Sequence, residues 1–323
     1  MFFIGIDEAG YGPLLGPLVI GGVMLRCAGE PQMDYLWRHL GKVITSKPRK
    51  KDARLVVCDS KMLSSRPDGL PLLETTGLVA ARLAGVPNAT WRELLTALDP
   101  QVAEHLSACP WDAEGDTPLP CACKPDTLAI QTSAVRTAAQ RAGCSLEAVA
   151  ATILPPARYN ALLARTDNKA TVLWMATTWV LNRLLQHAAA AAPGEPVFAV
   201  LDRQGGRTDY RPALQRSFEP IEMAVLEQTP ERGRYRMQLP NQSVDLTFMM
   251  DADLQCCVTA WGSIIAKYTR EICMLRLNNW WRARVEDLKP TAGYLPDGRR
   301  FADQVAPHFE RLGIRPETMI RHR

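Results

Sequence analysis

Gly5-Ile6-Asp7-Glu8-Ala9-Gly10-Tyr11-Gly12-Pro13 is the stretch on which the reading of the fold turns. Upstream of it, the apolar residues from Phe2 to Ile6 predict a strand over 2–7 that ends on an acidic pair. The Gly/Pro punctuation of Ala-Gly-Tyr-Gly-Pro-Leu-Leu-Gly predicts a tight loop after it. Residues 17–25, apolar and rich in β-branched side chains, predict a second strand.

The same pattern recurs farther along. Residues 197–201 (Val-Phe-Ala-Val-Leu) are almost wholly apolar, which predicts a strand buried on both faces, and they end on Asp202. Residues 220–228 and 233–239 predict a hairpin around Pro230-Glu231-Arg232-Gly233, and 244–250 a further strand. Helices are predicted over 34–43, over 167–192 from the spacing of Leu173, Ala176, Val180 and Leu184, and over 256–277. Residues 54–58 form a short apolar run before Asp59-Ser60-Lys61. The segment 86–142 differs, with a capped helix start near Asn88-Ala89-Thr90-Trp91 and a polar, Pro- and Cys-containing stretch from 109 to 125. It reads as an insertion rather than core, with 134–142 open between strand and helix. The region 271–323 reads as helical. Strands alternating with helices, with acids at strand ends, predict a mixed α/β fold in one domain over 1–323.

Composition narrows the class. Hydrophobic residues are 47% and charged residues 22%, a globular balance, and a net charge of +4 permits nucleic acid without demanding it. The start lacks the basic, long-apolar form of an export signal, and no apolar stretch reaches the roughly 18 residues of a membrane span. A cytoplasmic protein without a membrane role, and a monomer, is the expectation. Nine scattered cysteines fit reduced thiols better than a disulfide framework. Only Cys121-Ala122-Cys123 approaches zinc spacing, and thiols are the preferred reading there.

Three acidic features remain: Asp7-Glu8, Asp202, and Asp253 at the predicted start of the long helix, with Asp251 two residues earlier. Carboxylates at the ends of adjacent strands can converge, and without a cation they raise one another's pKa. Mg²⁺, which prefers oxygen ligands, resolves that conflict and can bring a phosphate with it. Two such ions serve phosphodiester cleavage. The plainer alternative makes Asp253 a helix N-cap and Asp202 a turn cap.

In order along the chain, the motifs resemble those of the type 2 ribonuclease H family. Gly5 to Pro17 resembles its N-terminal signature, and Asp59-Ser60-Lys61-Met62-Leu63-Ser64 its next block. Asn168 with its Ala-Thr helix and Asp202 follow. Asp253 with Ser263-Ile264-Ile265-Ala266-Lys267 and Thr269-Arg270 matches next, and Gly293-Tyr294 and Ile320-Arg321-His322-Arg323 close the series. The resemblance implies a ribonuclease H-like central mixed sheet flanked by helices. It implies a four-carboxylate site of Asp7, Glu8, Asp202 and Asp253 for Mg²⁺ or Mn²⁺. It also implies hydrolysis of RNA in RNA–DNA hybrids or at ribonucleotides embedded in DNA.

Around that site, Gly10 and Gly12 let substrate approach the backbone or simply make a turn. Lys61 and Lys267 neutralise phosphates or are solvated. Ser263 binds phosphate or packs its helix, and Tyr294 stacks on a sugar or base or belongs to the core. Tyr11 stands where the family carries Arg, and Asp202 opens Asp-Arg-Gln-Gly-Gly-Arg in place of Asp-Gly-Asn. The gap from Glu8 to Asp202 is long, a hairpin is added before Asp253, and Cys256-Cys257 and Trp261-Gly262 replace small residues and Pro. A catalytically weak nucleic-acid-binding protein, or a nuclease for another substrate, are the competing readings.

Overall fold

The computed structural model describes residues 1–29, 32–49 and 51–322, so Arg323, the end of the last motif, lies outside the described residues. Among the described residues nine strands form: β1 (Phe2–Ala9), β2 (Leu18–Cys27), β3 (Ile44–Thr45), β4 (Leu55–Val56), β5 (Cys144–Leu154), β6 (Val197–Asp202), β7 (Glu222–Gln228), β8 (Arg232–Leu239) and β9 (Gln242–Met249). Seven of them make one mixed sheet in the order β5-β2-β1-β6-β9-β8-β7. β1 and β6, and β6 and β9, run parallel, and the remaining neighbours are antiparallel. The predicted hairpin is β7–β8, which extends the sheet beyond β9.

Short helices α1 (Tyr35–His39) and α2 (Ser60–Ser64) precede α3 (Gly69–Leu83). Next come α4 (Trp91–Leu98), α5 (Ala103–Leu106), α6 (Pro110–Ala113) and α7 (Pro125–Arg141). Then follow α8 (Pro156–Thr166), α9 (Lys169–Ala191), α10 (Arg211–Phe218), α11 (Ala252–Gln255), α12 (Cys257–Arg282) and α13 (Asp297–Val305). None of these helices is long and apolar enough to cross a membrane.

The period-2 alternation of β1 and β6 sends their side chains to two apolar layers. Phe2, Ile4, Ile6, Val197, Ala199 and Leu201 pack with α8, α9 and α10. Phe3 and Val200 pack on the other side with α12, α3 and α4. The long helix α12 lies unusually close to β1. A Cβ on Gly5 would stand 2.2 Å from the Thr259 amide nitrogen, so only glycine lets the helix backbone rest there. Thr259 Oγ1 then donates to Val200 O at 3.0 Å, which fixes the helix against β6 as well.

Two expectations need correction, and one open alternative is resolved. The helix predicted over 34–43 is only Tyr35–His39, because Gly41 and the β3 pairing take over the chain. The segment 86–142, expected to lie outside the core, contributes to it. It is largely helical, and Trp91, Leu94, Leu95 and Leu98 of α4 are buried in the same apolar layer as α12. Residues 134–141, open between strand and helix, belong to α7, with Ala142 as its C-cap, and the neighbouring strand is β5.

Candidate active site

Register brings the first two acids together. Ile6 of β1 faces Leu201 of parallel β6, so Asp7 and Asp202 adjoin one step later, at the same end and on the same face of the sheet. That is the face covered by α12. Asp202 does more than end a strand: its Oδ1 accepts from the Ala252 amide at 2.9 Å, which ties down the turn that carries Asp253. Asp251 enters that turn with φ +50. Asp253 is therefore neither on the long helix nor an N-cap. It sits in the one-turn helix α11, which Cys256 separates from α12.

Ser263 of α12 joins the acids. Its hydroxyl donates to Asp7, lies 3.5 Å from Asp253 Oδ2 and is 2.9 Å from the Ser60 hydroxyl. Asp59 and Ser60 are participants that the sequence reading passed over. The Asp59 side chain caps α2 by accepting from the Lys61 amide at 2.8 Å, and it lies close enough to Asp253 to raise that acid. The Asp59-Ser60-Lys61 block carries a signal for them in the sequence, although that signal points to a role for the lysine alone.

The electrostatics follow from five carboxylates near one another. Burial raises Asp7 well above the ordinary carboxylate range, and the charges of Glu8, Asp202 and Asp253 raise it further. Burial lifts Glu8 to about 7, with Asp202 adding to the rise and Lys61 opposing it. Asp253 also reaches about 7, through burial and then its neighbours Asp59 and Asp202. Asp202 is raised by burial, partly offset by the Ala252 amide. Lys61 is the counterpart: burial works against its charge, but Asp253, Asp59, Asp7 and Asp202 outweigh that and raise it.

The remaining predicted residues divide. Gly10, at φ +83, packs against Arg270, whose Nε would lie 2.4 Å from a Cβ there, so this glycine is required by conformation and by packing. Gly12 has open space around it. Tyr11 lies half-buried between the charges of Glu8 and Arg207. Tyr294, 45% exposed, is joined to the same loop: Gly293 O accepts from Leu14 and Leu15 amides at 2.8 and 3.2 Å. The Arg270 guanidinium lies 5.3 Å from the Tyr294 ring centre. Lys267, by contrast, is paired with Glu271 at 2.8 Å. Arg321 of the C-terminal motif is buried and bonds to Pro13 O.

No family model and no curated protein matches the chain. Solved structures do. The chain is similar to ribonucleases HII and HIII of known structure. All of this chain and 95% of the other align with ribonuclease HII of Archaeoglobus fulgidus, solved as a complex with PCNA, at 17% identity and a TM-score of 0.45. Ribonuclease H2 of Pyrococcus horikoshii OT3 aligns over 99% of this chain and 92% of its own, at 14% identity and TM-score 0.41. Bst-RNase HIII in complex with Mn²⁺ aligns over 99% of this chain and 66% of its own, at 14% and 0.44.

Proposed function

We propose that the protein is a metal-dependent ribonuclease that cleaves RNA in RNA–DNA hybrids or ribonucleotides embedded in DNA. The observation that carries this is the gathering of Asp7, Glu8, Asp202 and Asp253, each pushed upward, around Lys61 and Ser263. Burying like charges together costs several kcal/mol unless a cation compensates.

The donor set suits Mg²⁺ or Mn²⁺: it is all hard oxygen, with neither thiolate nor imidazole in it. Among the described residues, no three potential ligands close around a single point. That spread is compatible with ions that each take one or two carboxylates and complete their shells with water and phosphate. Bound there, the metal would activate water and stabilise the departing oxygen.

The chain's own groups have separable tasks in this reading. Asp202 holds α11, and through it Asp253, in place. Lys61 stands among the carboxylates as a charge for a substrate phosphate. Ser263 orients Asp7 and Asp253. Gly12 leaves room for a ribose to approach, and Tyr294 offers an exposed ring beside that loop. The test is an assay of purified protein with Mg²⁺ or Mn²⁺ on a hybrid, on a DNA duplex carrying one ribonucleotide, and on single-stranded RNA. Cleavage of either of the first two, lost in Asp7→Asn, is expected. If none is cleaved and Asp7→Asn binds as wild type does, the enzyme reading fails. Tyr11 gives a specific reason to include single-stranded RNA: a phenol stands at the loop position where the resembling sequences carry a cation.

A further inference from the structure

The hairpin β7–β8 lies outside everything assigned to the site, yet the ladder connects them. Asp202 of β6 is paired with Met249 of β9, and Met249 with Arg232 of β8. Residues directly opposite one another share a sheet face, so Asp202, Met249 and Arg232 form one row on the face that also carries Asp7. Two strand spacings of ~4.8 Å place the Arg232 backbone about 10 Å from that of Asp202. Period-2 alternation adds Arg234 and Arg236 to the same face, opposite Thr247 and Asp245. Their partners on the other face, Tyr235 and Met237, are buried with α9.

Among the described residues, α12 lies over β1, β2 and the near edge of β6, and no helix packs extensively on β7 or β8. The three arginine side chains are 42%, 43% and 56% exposed. Two carboxylates accompany them. Glu227 lies 3.8 Å from both Arg232 and Arg234, and Asp245 lies 2.6 Å from Arg236. Glu222, opposite Gln238, is farther along the same face. Nearest the carboxylate site, two guanidiniums therefore share one acid. Exposed pairs of this kind are worth roughly 0–1 kcal/mol, so a phosphate can replace the acid at small cost. Met249, in the row between Asp202 and Arg232, is buried, while Met250 and Leu254, just beyond it along the chain, are exposed and apolar.

We propose that the outer face of β8, through Arg232, Arg234 and Arg236, binds the sugar–phosphate backbone of the duplex where it continues beyond the cleavage point. The occupant follows from charge and continuity: a polyanion cut at Asp7 and Asp202 must leave the site over some neighbouring surface, and this one is uncovered and arginine-lined. The inference rests on the nuclease reading above.

Two variants with opposite expected signs test it. Binding of a fluorescein-labelled RNA–DNA hybrid of ~20 base pairs is followed by anisotropy across salt concentration, alongside steady-state cleavage. The triple substitution R232A/R234A/R236A is expected to raise KM about tenfold with kcat unchanged, and to reduce the slope of log K against log salt by about 2–3, since each phosphate contact contributes ~0.9. Glu227→Gln, which frees Arg232 and Arg234, is expected to tighten binding and steepen the slope. A wild type that cleaves the hybrid while both variants bind and cleave as it does overturns the proposal and leaves the nuclease reading standing. A wild type that neither binds nor cleaves removes the nuclease reading itself. Should the triple variant fail to fold, Glu227→Gln decides alone: unchanged or weaker binding overturns the proposal.

Discussion

Asp7 illustrates how little of a residue's role is local. Its carboxylate accepts from the Glu8 amide at 2.7 Å and from the Ser263 hydroxyl, yet three other acids raise its pKa. A neutral amide of the same shape removes the conflict. Asp7→Asn is therefore expected to abolish cleavage, by roughly a thousandfold or more, while raising the metal-free stability by about 1 kcal/mol. Activity assays and denaturant melts in EDTA read the two effects. Lost activity with lowered stability would point to an ordinary structural acid. Lys61 belongs at the same scale. Lys61→Met is expected to raise KM for a hybrid at least tenfold, because a cation that the acids raise is gone from among them. At this scale the sequence was informative about Asp7, Glu8, Asp202 and Asp253, since each ends a strand or opens a helical turn. It marked the block that contains Asp59 but gave that acid no role, because it looks like any helix cap until it is placed beside Asp253.

Elements meet through two contacts whose strength is testable. The first is β1 against α12. Gly5→Ala puts a methyl group 2.2 Å from backbone atoms of Val258 and Thr259, neither of which can rotate away. A loss of about 3 kcal/mol or more in chemical denaturation is expected, at the upper end of overpacking costs. The second is the insertion against α12. Arg276 donates to Trp111 O and Glu114 O at 3.0 Å and to Thr117 Oγ1 at 2.8 Å, and its guanidinium lies 4.1 Å from the Trp91 ring centre. Beside it, burial lifts Asp112 to about 7, with Arg276 opposing the rise. The sign is that of an acid whose folded pKa is raised: the folded state holds the extra proton, so stability falls as pH rises from the unfolded value of ~3.9 towards about 7. Asp112→Asn should flatten that fall, which Tm measured between pH 5 and pH 8 would show. An unchanged profile would mean that Arg276 keeps the carboxylate charged. Neither contact was readable beforehand. A glycine in a strand and an arginine on a helix are common, and only the approach of a second backbone gives them consequence.

For the whole molecule, the sheet order β5-β2-β1-β6-β9-β8-β7 puts the carboxylate end of β1 and β6 near the middle and the arginine hairpin to one side. If the acids hold metal, their repulsion is relieved in the folded state alone. Mg²⁺ or Mn²⁺ should then raise Tm in proportion to the logarithm of its concentration above Kd, as binding linkage requires, with about 2.7 kcal/mol gained at a hundredfold excess. Differential scanning fluorimetry with Mg²⁺, and with Asp7→Asn as control, reads this. A Tm indifferent to both ions in wild type would count against a metal site.

Apolar periodicity and Gly/Pro punctuation, which depend on neighbours in sequence, sufficed for β1, β2, β6, the β7–β8 hairpin and the two long helices. Acid placement at the ends of those strands raised the candidate chemistry, and the motif resemblance named its residues. The tertiary structure alone decided that Asp253 stands on its own helical turn tied by Asp202, that Asp59 and Ser60 join the site, and that 91–98 belongs to the core. It alone decided that Gly10 is fixed by Arg270, 260 residues away. The reason is physical: a strand or helix follows from contacts a few residues apart, whereas charge coupling, close backbone approach and shared sheet rows arise only when distant segments are brought within a few ångströms.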